Sequence, residues 1–285
     1  MVTVEGMSDA QPARIDTALV LGGGGPVGIA WMAGLVTGLR DAGIDLSLAD
    51  RFVGTSAGAV VGAVLAAGGD PAILAAPLPS DGERFEVDQE LMMGIFAELA
   101  APGSDRGAAW RRAGERALAA PVGDPAVHVA RMRNLVGMDE WPDRDLRMTS
   151  IDITTGEFRV WTAADAATLP EALAASTCVP GVFPPIPVQG HHYVDGGLRS
   201  SVNADLAAGA ELVAILEPLA HMFPRTPADR ELGGATEISV VPDPETIALF
   251  GLDVFSTAAV APAHEAGLRQ AQDAALRLKA HWPGR

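Results

Sequence analysis

The apolar positions near the start of the chain fall into two strand–loop–helix units. Thr17 to Leu21 is a short apolar run closed by glycine, the pattern of a strand buried on both faces. Gly28 to Arg40 then spaces Ile29, Met32, Leu35, Val36 and Leu39 along one helical face. The unit repeats with Arg51 to Gly54 as a strand, Thr55-Ser56 as a turn, and Ala57 to Ala67 as a helix of small apolar residues stopped by Gly68-Gly69. Two such units in succession predict a layered α/β fold. From Pro71 to Asp145 the periodicity weakens, with helical spacing only in Asp88 to Leu99 and Ala108 to Ala119, as expected of a helical cap over residues 71–145.

Strand patterning resumes at Leu146 to Thr154 and Glu157 to Thr162, joined at Thr155-Gly156 as a hairpin. A short helix is predicted over Leu169 to Ser176, a strand end at Tyr193-Val194, and further strands over Leu212 to Leu216 and Glu237 to Val241. Between the last two, Glu217 to Ala235 is rich in Pro, Gly and charge and reads as a mobile surface loop. His264 to His281 closes the chain as an amphipathic helix with Leu268, Ala271, Ala275 and Leu278 on its apolar side. The expected organisation is a flexible leader over 1–16 and a single domain over 17–285, without internal repeats.

Composition narrows the functional classes. The net charge of −16 and the single lysine, Lys279, argue against tracking a nucleic-acid backbone or clinging to anionic lipid. Cys178 is alone and needs no oxidising compartment, and the leader lacks a basic start and apolar core, so a cytoplasmic location is expected. Ala18 to Leu39 is uncharged but broken by four glycines and Pro26; Ala172 to Gly190 is broken by Pro180, Pro184, Pro185 and Pro187. No membrane span is expected, although an apolar lip would permit transient peripheral lipid contact.

The chemistry concentrates in three strings. Gly54-Thr55-Ser56-Ala57-Gly58 is a G-x-S-x-G set between strand and helix, where the serine is lifted to the sheet edge beside unpaired helix amides. An ordinary helix N-cap serine is the plainer alternative. Gly22 to Gly28 also satisfies G-x-G-x-x-G, but the acidic residue that a dinucleotide fold wants after the second strand is missing, since Asp45 and Asp50 precede it. A P-loop would require a lysine that does not follow. An oxyanion hole of successive backbone N–H groups serves the same reaction as the serine. For the base, His128, His191, His192, His221, His264 and His281 are available, and His221 and His264 could occupy the place a serine-first triad gives its histidine. Neither has a strand-end setting, whereas Tyr193-Val194-Asp195-Gly196-Gly197 delivers an aspartate into a glycine turn.

Together these strings resemble the patatin-like phospholipases, serine acylhydrolases with a Ser-Asp dyad. A fourth matching segment runs from Ala175-Ser176 through Pro180-Gly181-Val182-Phe183-Pro184-Pro185. The resemblance implies an α/β fold, a three-layer α/β/α sandwich with a mainly parallel sheet. It implies Ser56 and Asp195 as the catalytic dyad and Gly23, Gly24 and Gly25 as the oxyanion hole, supported by Gly22, Pro26, Gly28, Gly54, Gly58, Gly196 and Gly197. The implied reaction is hydrolysis of carboxylic esters in phospholipid, lysophospholipid or acylglycerol through an acyl-enzyme, with no cofactor and no metal. A catalytically weak protein that binds acyl lipid or a partner in the same cleft is the alternative. Val27 departs from the basic residue common at its place in the loop. An aspartate base should keep activity to lower pH than a histidine triad unless burial lifts its pKa. Of the lesser candidates, Asn203 is expected to anchor the loop after Asp195, Asp152 to bond locally or line the mouth, and Cys178 to be a small buried hydrophobe.

Overall fold

The computed structural model describes residues 15–75, 87–99 and 105–283. Residues 1–14 of the expected leader, and 76–86 and 100–104 of the expected cap, lie outside them; Ile15 and Asp16 already belong to the first strand. The first two units form as the sequence predicts: β1 (Ile15–Leu21), α1 (Gly25–Asp41), β2 (Arg51–Gly54) and α2 (Ala57–Ala66). Then come α3 (Gln89–Leu99), α4 (Arg106–Ala119) and α5 (Pro125–Val136), the last without a counterpart in the apolar spacing. β3 (Asp145–Asp152) and β4 (Glu157–Trp161) make the expected hairpin. The remaining elements are α6 (Leu169–Thr177), β5 (Ile186–Val188), β6 (His191–Asp195), β7 (Ala210–Leu216), β8 (Thr236–Val240), α7 (Pro244–Phe250) and α8 (Val260–Leu278).

The sheet runs β5-β6-β3-β2-β1-β7-β8, with β4 paired to β3. Its centre, β3-β2-β1-β7-β8, is parallel, and β4, β5 and β6 join antiparallel. Alternation along β1 explains the layers. Leu19 and Leu21 enter the large core with the helices, whereas Ala18 and Val20 face a smaller core closed by Val202, Ala204, Ala207 and Leu232. The result is a mixed α/β fold with a central sheet, a thick helical layer on one face and a thin layer of short turns on the other. In the thick layer α1 and α8 meet almost backbone to backbone. A Cβ placed on Gly34 would stand 2.1 Å from the His264 carbonyl oxygen, and one on Gly267 would stand 2.1 Å from that of Trp31.

Two features of the sheet position the site. Strand order reverses between β1 and β7, and in open α/β sheets ligands gather at the carboxyl ends beside such a switch. In addition, β4 occupies one edge of β3, so β2 and β6 share the other. β2 ends with Gly54 opposite Met148, and the antiparallel β6 ends with Asp195 opposite Ser150. The two strands therefore point head to head across a gap of two residues along β3, roughly 7 Å.

The segment after β7 is tied down rather than loose. Glu217, 5% exposed, holds Arg225 through both carboxylate oxygens at 2.5 and 2.8 Å and also accepts from Ser239. Fully buried Asp229 accepts from the Ser200 hydroxyl and the Thr226 N–H, both at 2.7 Å, and from the Ala204 N–H at 3.0 Å.

Candidate active site

Ser56 stands at the sharp joint between β2 and α2, with φ 54° and ψ −118°. A non-glycine residue in that region costs on the order of 1–3 kcal/mol and persists only where its surroundings enforce it. Here they do. A Cβ on Gly58 would stand 1.9 Å from the Leu21 carbonyl oxygen, so α2 starts jammed against β1, and the Ser56 N–H is held by the Ser176 hydroxyl at 3.1 Å. Ser56 occupies the N-cap position, yet its side chain makes no capping hydrogen bond. The plain N-cap reading therefore fails, and the hydroxyl remains for other work.

The group it meets is Asp195. This carboxyl is 4% exposed, its backbone N–H is fixed by the Cys178 carbonyl at 3.0 Å, and its Oδ1 accepts the Gly197 N–H at 2.7 Å. Oδ2 is enclosed without a well-formed hydrogen bond. Burial pushes the Asp195 carboxyl up to about 6, against the opposing effect of the Ser56 hydroxyl and the Gly197 N–H, which stabilise its charged form. The acid tolerance expected of an exposed aspartate is thereby removed.

The glycine loop is more differentiated than the sequence implies. The Gly22 N–H donates to Leu216 at 2.9 Å and the Gly23 N–H to Ser201 at 2.8 Å, so both support the loop rather than face the cleft. Gly24 precedes α1 and Gly25 begins it with φ +57°; among the described residues neither N–H has a backbone acceptor. Pro218 fills the space beside Gly24 and Gly28, leaving 2.8 and 3.2 Å for a Cβ. Val27 is fully buried and its N–H goes to Val254 at 3.2 Å, so this position packs into the core.

One buried polar network joins these parts. The Asn203 amide nitrogen donates to the Ser200 carbonyl at 2.8 Å, the Thr55 hydroxyl at 3.0 Å and the Gly196 carbonyl at 3.3 Å. The Thr149 hydroxyl of β3 reaches Thr55 at 3.0 Å. Arg199 holds the other end of the amide at 2.7 Å while it pairs with Asp205. Asn203 thus connects the residue before Ser56 to the residue after Asp195, and Ser201 of the same loop fixes Gly23. Its expected anchoring of the loop holds, and its reach to Thr55 extends that role.

Ser56 opens into a narrow apolar pocket of about 40 Å³, lined by Pro26, Val60, Met132, Leu135, Phe183 and Phe255 among others. Among the described residues, His128 is the one histidine on that lining. Burial first, then the charge of Arg131, lowers its pKa to about 3, and its Nε2 is engaged with Thr177 at 2.9 Å. It is a poor base at neutral pH. His191 pairs with Asp152 at 2.7 Å, and Asp152 also accepts two backbone N–H groups of its own turn, which makes that pair local. Cys178 is fully buried, its thiol directed at the Pro184 carbonyl at 2.7 Å, and burial pushes it well up. Among the described residues no cluster of three or more His, Cys, Asp or Glu could hold a metal, and no helix is long and apolar enough to cross a membrane.

Two comparisons with known proteins return similarities. VipD from Legionella pneumophila is similar over 95% of this chain and 67% of its own, with 14% identity and a TM-score of 0.45. The type III effector protein ExoU is similar over 93% of this chain and 54% of its own, with 18% identity and a TM-score of 0.35. The chain thus spans about two thirds of one of these proteins and about half of the other. No curated protein matches it. The sequence pattern of the patatin-like phospholipases matches residues 19–208, a stretch that contains the glycine loop, the Ser56 joint and the Asp195 turn. The chain belongs to the patatin-like phospholipase family, whose chemistry is lipid-ester hydrolysis by a Ser-Asp dyad.

Proposed function

We propose that Ser56 is the nucleophile and Asp195 its base. The observation that carries this reading is the pairing of an uncapped, conformationally strained Ser56 hydroxyl with a wholly enclosed Asp195 whose second oxygen lacks a formed bond. Asp195 takes the hydroxyl proton as the serine oxygen attacks the ester carbon. The Gly24 and Gly25 N–H groups receive the oxyanion, assisted by the Ala57 N–H at the start of α2. The tetrahedral adduct collapses and the proton on Asp195 passes to the departing alcohol. Water then attacks the acyl-enzyme, with Asp195 as base again, releasing the acid and restoring the serine.

Gly22 and Gly23 shape the loop, Pro26 starts α1, Gly54 and Gly58 permit the close strand–helix joint, and Gly196-Gly197 form the turn that aims Asp195. The acyl chain lies in the pocket between α5, Phe183 and Phe255. Residues 17–285 act as one domain, with α3, α4 and α5 belonging to a helical cap over 71–145. Contact with lipid is peripheral and apolar, because the net charge of −16 opposes anionic surfaces, and the reduced Cys178 fits a cytoplasmic location.

Labelling with a fluorophosphonate tests the assignment. Wild type should label at Ser56 and Ser56→Ala should not, while Asp195→Ala should label slowly. Folded wild type without labelling or ester turnover would leave a lipid-binding cleft in place of an enzyme.

A further inference from the structure

The strand beside β6 sets a side chain directly against the Asp195 carboxyl. In the β3–β6 ladder Ser150 stands opposite Asp195, and Asp152 stands opposite Tyr193. The Ile153 N–H donates to the His192 carbonyl at 2.9 Å, which marks those two residues as a hydrogen-bonded pair. Alternation along the antiparallel ladder then makes Ser150 and Asp195 a non-hydrogen-bonded pair, the kind with Cα atoms about 4.5 Å apart and side chains in closest approach on one face. The Asp195 N–H accordingly turns away from β3, to the Cys178 carbonyl at 3.0 Å.

Trp161 completes the arrangement from the other edge of β3. It stands opposite Met148, on the face that carries Ser150, and its indole N–H donates to the Ser150 hydroxyl at 2.8 Å. A hydroxyl that accepts there keeps its own hydrogen to give. Ser150 is fully buried, and among the described residues no acceptor takes that hydrogen. Across the ladder, Asp195 Oδ2 is a buried acceptor without a closed hydrogen bond. An unmet donor and an unmet acceptor, each unfavourable to leave unpaired in a dry interior, thus face each other on adjacent strands.

We propose that Ser150 is a positioning residue for the base: its hydroxyl, oriented by Trp161, donates to Asp195 Oδ2 and holds the carboxylate in its charged form. This rests on the reading of Ser56 and Asp195 as the dyad. The bond closes as the carboxyl ionises, since a charged acceptor holds a hydroxyl about twice as strongly as a neutral one. Its consequence is greatest in the second half of the reaction. Once Ser56 is acylated its hydroxyl no longer supports Asp195, and of the two donors that favour the charged form the Gly197 N–H remains. Ser150 replaces the lost donor while Asp195 takes a proton from water. Other ionisable groups surround the same carboxyl. Cys178, at the end of α6, is pushed well up by burial and then by Asp195 itself. On β3 and β6, Asp152 pairs with His191, His192 adjoins them, and burial raises Tyr193. In the turn after β6, Arg199 pairs with Asp205. Among the described residues none of these bonds the Asp195 carboxyl oxygens.

The test is the pH profile of kcat and KM for a soluble ester. One hydrogen bond to a charged group corresponds to about one pH unit or more in a carboxyl pKa. Ser150→Ala should therefore move the acid limb up by about one unit from its wild-type centre near pH 6. Activity should fall about 5-fold at pH 6 and stay nearly unchanged at about pH 8.5, with the loss in kcat rather than KM. Ser150→Thr, which keeps the hydroxyl on a side chain suited to a strand, should return the limb to its wild-type place. Trp161→Phe, which removes the indole donor, should move the limb in the same direction by less. A Ser150→Ala limb at the wild-type position would overturn the proposal. So would an equal loss at every pH, which would make Ser150 a packing residue. If urea unfolding shows Ser150→Ala to be unfolded, Trp161→Phe carries the test, and a limb left in place there would overturn the proposal. A wild-type limb that moves in His128→Gln would instead refute the dyad reading itself.

Discussion

The floor of the site and the wall of its pocket are built on opposite principles. The floor, where β2 and β6 point at each other, is polar and over-determined: Thr55, Thr149 and Asn203 share buried hydrogen bonds, and both Ser56 and Asp195 have their backbone N–H groups fixed. The wall, made by α5, the end of α6 and the Phe183–Phe255 contact, is held by apolar packing and rings at 4.0 to 6.4 Å. Polar networks specify geometry to within a hydrogen bond, whereas apolar walls tolerate changes of shape. With Ser56 and Asp195 as the proposed dyad, the floor is expected to set the rate of the chemistry and the wall to set which ester reaches it.

Substitutions in the two regions should split in their kinetics accordingly. In the floor, Asn203→Ala removes the amide that connects Thr55 to Gly196, and kcat should fall about 10- to 100-fold with KM little changed. Asn203→Asp, which keeps the size but not the donor, should not restore it; a variant that raised KM alone would place Asn203 with the wall. The next effect is on stability. Because the Asp195 carboxyl is raised to about 6 in the folded chain, folding favours its protonated form, and that preference is lost as pH rises from about 4 through 6. Asp195→Asn should thus be more stable than wild type by about 3 kcal/mol above pH 7 and gain nothing below pH 4, by urea unfolding at each pH. In the wall, Phe255→Ala should raise KM for long-chain esters about 3- to 10-fold while short-ester kcat stays within about twofold. Loss of kcat on both would erase the distinction between the regions.

Much of the floor is legible in the sequence because its residues are local. The G-x-S-x-G string sits between a strand and a helix in the order the joint needs, and the Asp195 turn announces itself through Gly196-Gly197. What joins them is not legible, since Asn203 lies 148 residues beyond Thr55 and only the sheet brings them together. The role of Gly23 depends likewise on the Ser201 carbonyl, a partner no pattern reveals. The raised Asp195 pKa follows from complete enclosure, which apolar spacing does not report.

Two helices absent from the predicted elements had a signal that apolar periodicity misses. α5 and α7 each begin with an Asp N-cap followed by Pro and end at Gly, as Asp124-Pro125 to Gly137 and Asp243-Pro244 to Gly251. β5 was hidden for a different reason: it is three residues long, carries Pro187, and survives as an edge strand paired only to β6. The segment after β7 reads as a loose loop because its charge looks solvated, whereas Glu217 and Asp229 turn inward to satisfy Arg225 and the backbone of the Ser200–Ala204 turn.

The dyad itself is tested most directly by the pH dependence of kcat/KM for a soluble ester, measured on wild type and on a variant in which His128, the histidine nearest the chemistry, is replaced by Gln. In the proposed dyad Asp195 must be charged to act, so activity should fall on acidification along a limb centred near pH 6, and the limb should stay in place in His128→Gln. A limb that moves or vanishes when the histidine is replaced would contradict a Ser56–Asp195 dyad and return the base to histidine.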